Sequence, residues 1–235
     1  MTSGMRRDEA LVERYLIGLD LGAVVHEPDG NVPPDFVVGG QIAVEARRLN
    51  QHFESDGKHV GLETLEAPLI GFIETLLPTL GPPADGQSWW VHYKFRRPLH
   101  WRSLKRRIRA TLIAFAPPAP KPTILDLAPG FRLYLDPKTD AEPDRFVLAG
   151  YSDFDAGGAV AAEILRNTRL CVAEKSHKIA AHMDRYPRWW LVLVDRIGPN
   201  LNPFERSALV GQVNKGPWEK IVLIDPAQPS RSLEL

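Results

Sequence analysis

The sequence lacks most of the features that mark specialised classes of protein. Its 235 residues include one cysteine, Cys171, which excludes an internal disulfide framework and a cysteine-rich zinc site. We therefore expect a reducing, cytoplasmic environment and a buried, inert thiol. Lys plus Arg number 29, as do Asp plus Glu, so the formal charge is zero and any nucleic-acid surface must be local.

Long apolar runs are also missing. The longest, such as Trp189 to Val194, are far shorter than the ~20 residues that a membrane helix needs, so no membrane partner is expected. Asp8, Glu9 and Glu13 stand where a secretory signal peptide requires an apolar core, and no such peptide is predicted. The composition, 44% hydrophobic and 25% charged, is that of a folded globular chain.

Apolar periodicity predicts alternating helices and strands. Asp8 is the expected N-cap of a first helix that ends near Leu19, and a three-stranded meander follows over 23–49. An apolar run at 189–194 is typical of a strand buried on both faces. The other predicted elements are a helical run within 59–80, strands at 88–97, 123–127, 131–135 and 146–151, helices at 101–115 and 159–183, and a closing helix and strand at 203–210 and 221–224. In the strand at 88–97, alternation places Trp89, Val91, Tyr93 and Phe95 on one face.

The meander carries an acidic pattern suited to metal chemistry. Asp35 enters its hairpin, Glu45 lies on the outgoing strand, and Arg47 follows two residues later on the same strand face. Carboxylate oxygens are preferred ligands of Mg²⁺, and such an ion activates water and neutralises a phosphodiester. The alternative interpretation is a simple ion pair between Glu45 and Arg47 or Arg48 on an exposed sheet face.

This pattern resembles the PD-(D/E)XK nuclease superfamily, which is also called restriction-endonuclease-like. The resemblance covers about residues 8–50 and 159–196, and it extends to the order of the elements: a helix with an acidic residue precedes the hairpin, and a later helix leads into a buried strand. It implies a fold of the α/β class with a mixed central sheet, flanking helices and an inserted α+β segment. The core would then comprise residues 1–51 and 151–235. The resemblance does not account for residues 52–150, which we expect to form an inserted or appended α+β segment.

The same resemblance implies the roles of individual residues. Asp35 and Glu45 would bind Mg²⁺ (or Mn²⁺), and Glu13 or Glu9 of the first helix would add a third carboxylate. Arg47 would stabilise the charged transition state.

Arg47 occupies the position where the family has a lysine. A guanidinium stays protonated at any workable pH, so Arg47 can hold a phosphate oxygen but cannot remove a proton. Lys175 and Lys178, on the helix before the buried strand, are candidates for a displaced lysine and for nucleic-acid contact. The interpretation that we favour from the sequence is that both are solvated helix charges.

The hairpin geometry sets a condition on this site. A strict two-residue turn at Gly39 and Gly40 would place Asp35 and Glu45 on opposite faces of the sheet. A three-residue loop or a bulge, which glycine permits, turns both acids to one side. We predict this second arrangement, with Asp35 paired to Ala43.

A basic helix is the other candidate contact for nucleic acid. Its outward side chains are Arg102, Lys105, Arg106 and Arg109, with Arg96, Arg97 and Arg107 nearby and with Trp90 and Trp101 positioned to stack on bases. A solvated amphipathic helix would explain the same residues without a ligand.

These observations predict a metal-dependent nuclease that acts on DNA or RNA. Two alternatives stay open: a nuclease-fold module that binds nucleic acid without cleaving it, and a protein-interaction domain with no nucleic-acid role. The oligomeric state is not indicated by the sequence.

Overall fold

The computed structural model describes residues 3–30, 32–55, 57–83, 86–116, 120–140, 142–198 and 201–235. The chain is a mixed α/β protein, as predicted. Its helices are α1 (Ser3–Gly18), α2 (Glu63–Leu76), α3 (Trp101–Ala114), α4 (Val160–Ile179) and α5 (Pro203–Ser207). Its strands are β1 (Val24–His26), β2 (Phe36–Val38), β3 (Ile42–Leu49), β4 (His52–Ser55), β5 (Lys58–Gly61), β6 (Trp89–Phe95), β7 (Thr123–Ala128), β8 (Phe131–Pro137), β9 (Phe146–Asp153), β10 (Arg188–Asp195), β11 (Lys220–Ile224) and β12 (Leu233–Glu234).

Two compact units divide the chain. The first unit consists of Met1–Gln51 and Gly158–Leu235, and the second unit consists of His52–Gly157. The second unit extends beyond the sequence-based limit at residue 150 because β9 pairs along its whole length with β6. In the part of the chain that the structure describes, no helix combines the length and the apolar character that a bilayer crossing requires.

The first unit is built on a six-stranded mixed sheet in the order β1-β2-β3-β10-β11-β12. Strands β1, β2 and β3 form the predicted antiparallel meander. Strand β10 runs parallel to both of its neighbours, β3 and β11. Its apolar run is buried, as expected for a strand with neighbours on both sides and helices above and below.

Helices cover both faces of this sheet. On one face Leu11, Val12 and Leu16 of α1 pack with Ile42 and Val44 of β3. On the other face, α4 packs against the alternate residues of β3 and β10. Because successive strand residues point to opposite faces, the two helices contact different residues of the same strand.

The start of α1 differs from the sequence-based prediction. The helix begins at Ser3, so Asp8 lies inside it and is not its N-cap. Asp8 is buried and accepts a hydrogen bond from Arg48 at 2.6 Å, and it also pairs with Arg196. A long-range ion pair therefore replaces the expected local capping role.

The second unit contains a four-stranded sheet in the order β7-β8-β6-β9, together with the β4-β5 hairpin. Trp89, Val91, Tyr93 and Phe95 of β6 are buried on one face, as their alternation predicted. Helices α2 and α3 supply the apolar residues that pack with them. The opposite face of β6, which carries Trp90, His92 and Lys94, is more exposed, and we call it the outer face of this sheet.

Candidate functional site

The β2-β3 hairpin turns Asp35 and Glu45 to the same side of the sheet. Phe36 pairs with Val44 and Val38 pairs with Ile42, which leaves a three-residue loop, 39–41, between the strands. Asp35 immediately precedes β2, and its carboxylate lies near that of Glu45, since Lys175 Nζ is within 4 Å of both. The predicted shared face is confirmed, but the predicted pairing of Asp35 with Ala43 is wrong, because the loop lies one residue later than expected.

Local hydrogen bonding fixes the Asp35 carboxylate next to β3. The backbone N–H of Ala46 donates to Asp35 Oδ2 at 2.8 Å, across the two strands. The Asp35 side chain is 30% exposed, whereas that of Glu45 is fully buried. The Asp35 carboxylate therefore lies at the surface and the Glu45 carboxylate lies beneath it, at the same place on the sheet.

Two lysines of α4 reach these carboxylates. Lys175 Nζ lies 2.5 Å from Glu45 Oε2 and 3.6 Å from Asp35 Oδ2. Lys178 Nζ lies 3.1 Å from the same Glu45 oxygen and 3.9 Å from Asp35 Oδ1. The four side chains form a cluster with balanced charges, which we call the acid–lysine cluster.

The interpretation of both lysines as solvated charges is wrong for Lys175. Its side chain is only 11% exposed, against 43% for Lys178. An ammonium this deeply buried cannot contact a nucleic-acid backbone that lies on the protein surface. The predicted contact of Lys175 with nucleic acid is therefore restricted to a nucleic-acid strand that enters the cluster itself. Contact by the half-exposed Lys178 remains a prediction.

The electrostatics of Lys175 follow from burial and its two partners. Burial alone lowers its pKa, because desolvation disfavours the charged ammonium. Attraction by Asp35 and Glu45 and the hydrogen bond to Glu45 outweigh that effect, so the pKa of Lys175 is raised above its usual value. Lys175 is therefore a fixed cation at neutral pH.

Arg47 lies beside the cluster and has a partner of its own. It shares the strand face of Glu45, and its guanidinium pairs with the carboxylate of Glu174 on α4. The Glu174 side chain is largely exposed, so this pair is open to solvent. Arg47 is thus held near the two acids with part of its surface available to an anion.

The structure does not bring Glu13 or Glu9 to the two acids. Both residues are on α1, which packs against the sheet face opposite Glu45. Across residues 3–30, 32–55, 57–83, 86–116, 120–140, 142–198 and 201–235, no group of three or more His, Cys, Asp and Glu side chains is placed to hold a metal ion. Of these four side-chain types, Asp35 and Glu45 are therefore the ones that would hold a metal at this site, with water completing its ligands.

One sequence signal could have identified Lys175. Cys171, Lys175 and Ile179 are spaced four residues apart, so they share one face of α4, and all three are buried. A lysine within an otherwise apolar stripe requires a buried acid as its partner. Glu45, on an inward strand position, is that acid.

The basic helix α3 presents the predicted side chains to solvent. Arg102, Arg106 and Arg109 are exposed, and the described residues supply no acidic partner to them. Lys105 is less exposed because its ammonium lies 5.1 Å from the centroid of the Trp101 ring. Nucleic-acid contact by this face remains a prediction.

Arg97 has a structural role rather than the expected surface role. Its side chain is 2% exposed, and its guanidinium lies 2.7 Å from Asp153 and 3.2 Å from Asp155. It also donates to the Leu62 carbonyl oxygen at 2.7 Å. The acidic turn after β9 thus holds Arg97 inside the second unit, where it cannot contact phosphate.

Comparison with known proteins finds no relative of this chain. No family model, no curated protein and no solved structure matches the chain.

Proposed function

We propose that this protein is a divalent-metal-dependent nuclease that hydrolyses phosphodiester bonds in DNA or RNA. The observation that carries the proposal is the convergence of Asp35, Glu45 and Lys175 on one face of a mixed sheet, with the ammonium 2.5 Å from Glu45 and 3.6 Å from Asp35. Two acids and a lysine are the residue types that the PD-(D/E)XK resemblance requires. In this chain the lysine comes from α4 and not from the strand.

The order of the elements supports the proposed restriction-endonuclease-like core. Helix α1 precedes the β1-β2-β3 meander, and α4 leads into β10, which pairs with β3 in parallel. This is the order on which the resemblance was based. Fold analogy favours the assignment, but the function is argued from the site because one fold hosts many activities.

The donor set fits Mg²⁺ or Mn²⁺. The position of the Lys175 ammonium marks a point at which oxygens of both Asp35 and Glu45 stabilise a cation. Mg²⁺ is commonly held by one or two carboxylates plus water and substrate phosphate oxygens. When bound there, the ion would polarise a phosphoryl oxygen and lower the pKa of a coordinated water.

The protein's own cations would act on the phosphate. With both carboxylates engaged by the ion, the Lys175 ammonium would stabilise negative charge on the phosphate and orient one of its oxygens. Arg47 can hold a phosphate oxygen through its planar guanidinium. Lys178, which is half-exposed, has room to move from Glu45 toward an incoming phosphate.

Cleavage assays on plasmid and circular single-stranded DNA test the proposal. We expect cleavage with Mg²⁺ or Mn²⁺ and none in EDTA. Asp35→Asn keeps an oxygen for the Ala46 N–H and preserves the fold, yet removes a ligand charge, so activity should fall by about 100-fold or more. Glu219→Gln, which removes an exposed carboxylate from the same unit, is the matched control and should retain activity.

A second variant tests the displaced lysine. Lys175→Met removes the ammonium but keeps an unbranched apolar stem, and we expect about a 100-fold loss of cleavage. If Lys175→Met cleaves as well as the parent chain while Asp35→Asn does not, the metal site stands and the assigned role of Lys175 is wrong.

The second candidate function is a module that binds nucleic acid without cutting it. The observation that favours it is that Lys175 and Lys178 already neutralise both carboxylates. Salt-sensitive binding with no cleavage in either metal would support the module. Absence of both binding and cleavage would leave the protein-interaction domain as the remaining interpretation.

A further inference from the structure

We propose that the outer face of the β7-β8-β6-β9 sheet binds single-stranded nucleic acid, with one nucleotide seated in a cavity beside the β7-β8 turn. The cavity has a volume of about 390 Å³. It is lined chiefly by Lys94, Arg96, Asp126, Arg132, Tyr134 and Phe154. These residues all belong to the second unit, so the inference is independent of the acid–lysine cluster.

The cavity carries excess positive charge. Arg132 binds Asp126 with two hydrogen bonds, of 2.5 and 3.3 Å, so these two charges neutralise each other. Lys94 and Arg96 have no acidic partner among the residues that the structure describes. Two cations without counter-charges on one side of a cavity favour an anionic group such as phosphate.

Each of these cations lies beside an aromatic ring. Lys94 Nζ is 5.0 Å from the centroid of the Tyr134 ring, and the Arg96 guanidinium is 5.7 Å from that of Phe154. Phe154 is 57% exposed, although phenylalanine is ordinarily buried. Aromatic rings and guanidinium planes on a sheet surface are the platforms on which unpaired bases stack.

Unpaired cations beside aromatic rings favour single-stranded nucleic acid over other anions. In a duplex, each base is already stacked between its neighbours, so its faces cannot meet Tyr134 or Phe154. A polyanion without bases would use Lys94 and Arg96 but gain nothing from the rings. A volume of about 390 Å³ is within the range of small-ligand sites, roughly 300–1,000 Å³, and suits one nucleotide.

Fluorescence anisotropy with the full chain tests this site without any cleavage. The probe is a fluorescein-labelled oligothymidylate of about 15 nucleotides, in EDTA, at about 50 to 200 mM salt. We expect Phe154→Ala to weaken binding by about 10-fold, the loss of one base-stacking contact. Lys94→Gln should reduce the slope of log K against log salt by about 0.7, the value for one phosphate contact on a single strand.

Two matched variants control for nonspecific effects. Phe204→Ala removes another exposed phenylalanine, at 82% exposure, from the first unit, and Lys121→Gln removes an exposed cation elsewhere in the second unit. Both should bind as the parent chain does. A duplex of the same length and a polyphosphate of equal charge should bind at least about 10-fold more weakly than the single strand.

Photocrosslinking locates the contact independently of affinity. An oligonucleotide that contains 5-bromodeoxyuridine should crosslink to Tyr134 or Phe154, as mapped by mass spectrometry. The inference is overturned if the parent chain does not bind the probe at about 50 mM salt. It is also overturned if Phe154→Ala binds as tightly as the parent, or if all crosslinks map outside the cavity. Because EDTA prevents metal-dependent cleavage, failure of the nuclease proposal would not alter any of these results.

Discussion

Replacing Glu45 by Gln leaves the buried ammonium of Lys175 without its nearest charged partner. Lys175 Nζ is 2.5 Å from Glu45 and 3.6 Å from Asp35, and its side chain is 11% exposed. Breaking a buried ion pair on one side costs about 3–5 kcal/mol, since the remaining charge is desolvated. We expect Glu45→Gln to lower the free energy of unfolding of the first unit by that amount.

The single cysteine gives an assay specific to the first unit. Cys171 is buried on α4 one helical turn before Lys175, so its reaction with a thiol reagent requires this unit to open. Labelling Cys171 across a urea series therefore reports the free energy of opening. Lys178→Gln is the matched control, because Lys178 contacts the same Glu45 oxygen but is 43% exposed and should cost below about 1 kcal/mol.

A double variant tests whether the two charges act as a pair. In Glu45→Gln/Lys175→Met the ammonium is gone, so the loss should be smaller than the sum of the two single losses by more than about 0.5 kcal/mol. The reasoning is refuted if the losses add, or if Glu45→Gln costs no more than Lys178→Gln.

Three further predictions concern buried groups outside the acid–lysine cluster. Arg97→Met leaves the Asp153 and Asp155 carboxylates without their cationic partner. It should lower the free energy of unfolding of the second unit by about 3–5 kcal/mol in urea denaturation, whereas Arg102→Met, at an exposed position, should lower it by less than about 0.5 kcal/mol. Burial raises the pKa of Asp195, so the folded state loses stability as the pH rises from the ordinary aspartate value, about 4, through the raised one. In thermal denaturation Asp195→Asn should gain stability relative to the parent as the pH rises above about 4, and a difference that does not change with pH would contradict this. Burial raises the pKa of Cys171 to about 11, so at about pH 8 its native thiol should react at least about 100-fold more slowly than in urea, and equal rates would contradict its burial.

Local sequence patterns predicted the elements better than their long-range contacts. The alternation in β6 identified its buried face, and the continuous apolar run of β10 identified a strand enclosed on both sides. Both signals arise because side-chain direction repeats with a fixed period within one element. The shared face of Asp35 and Glu45 could be predicted for the same reason, because only the length of the hairpin loop had to be inferred from the sequence.

The site residues that the sequence misassigned depend on packing between distant segments. Lys175 meets Glu45, which is 130 residues away along the chain, and no local pattern specifies that contact. Glu13 was assigned to the site because the resemblance expects an acidic residue on the helix ahead of the hairpin, but the pattern of α1 does not tell which face of the sheet the helix will cover. Arg97 looked like part of a basic patch, yet the acidic turn at Asp153 buries it.

The pairing of β3 with β10 imposes an order of events on folding. Ile42 pairs with Arg188, so one edge of β3 has no partner until synthesis has reached β10. The sheet of the second unit draws all its strands from the intervening residues and can form earlier on the ribosome. We therefore expect nascent chains that stop before β10 to aggregate through the free edge of the meander, and chaperones that shield strand edges to act during that interval.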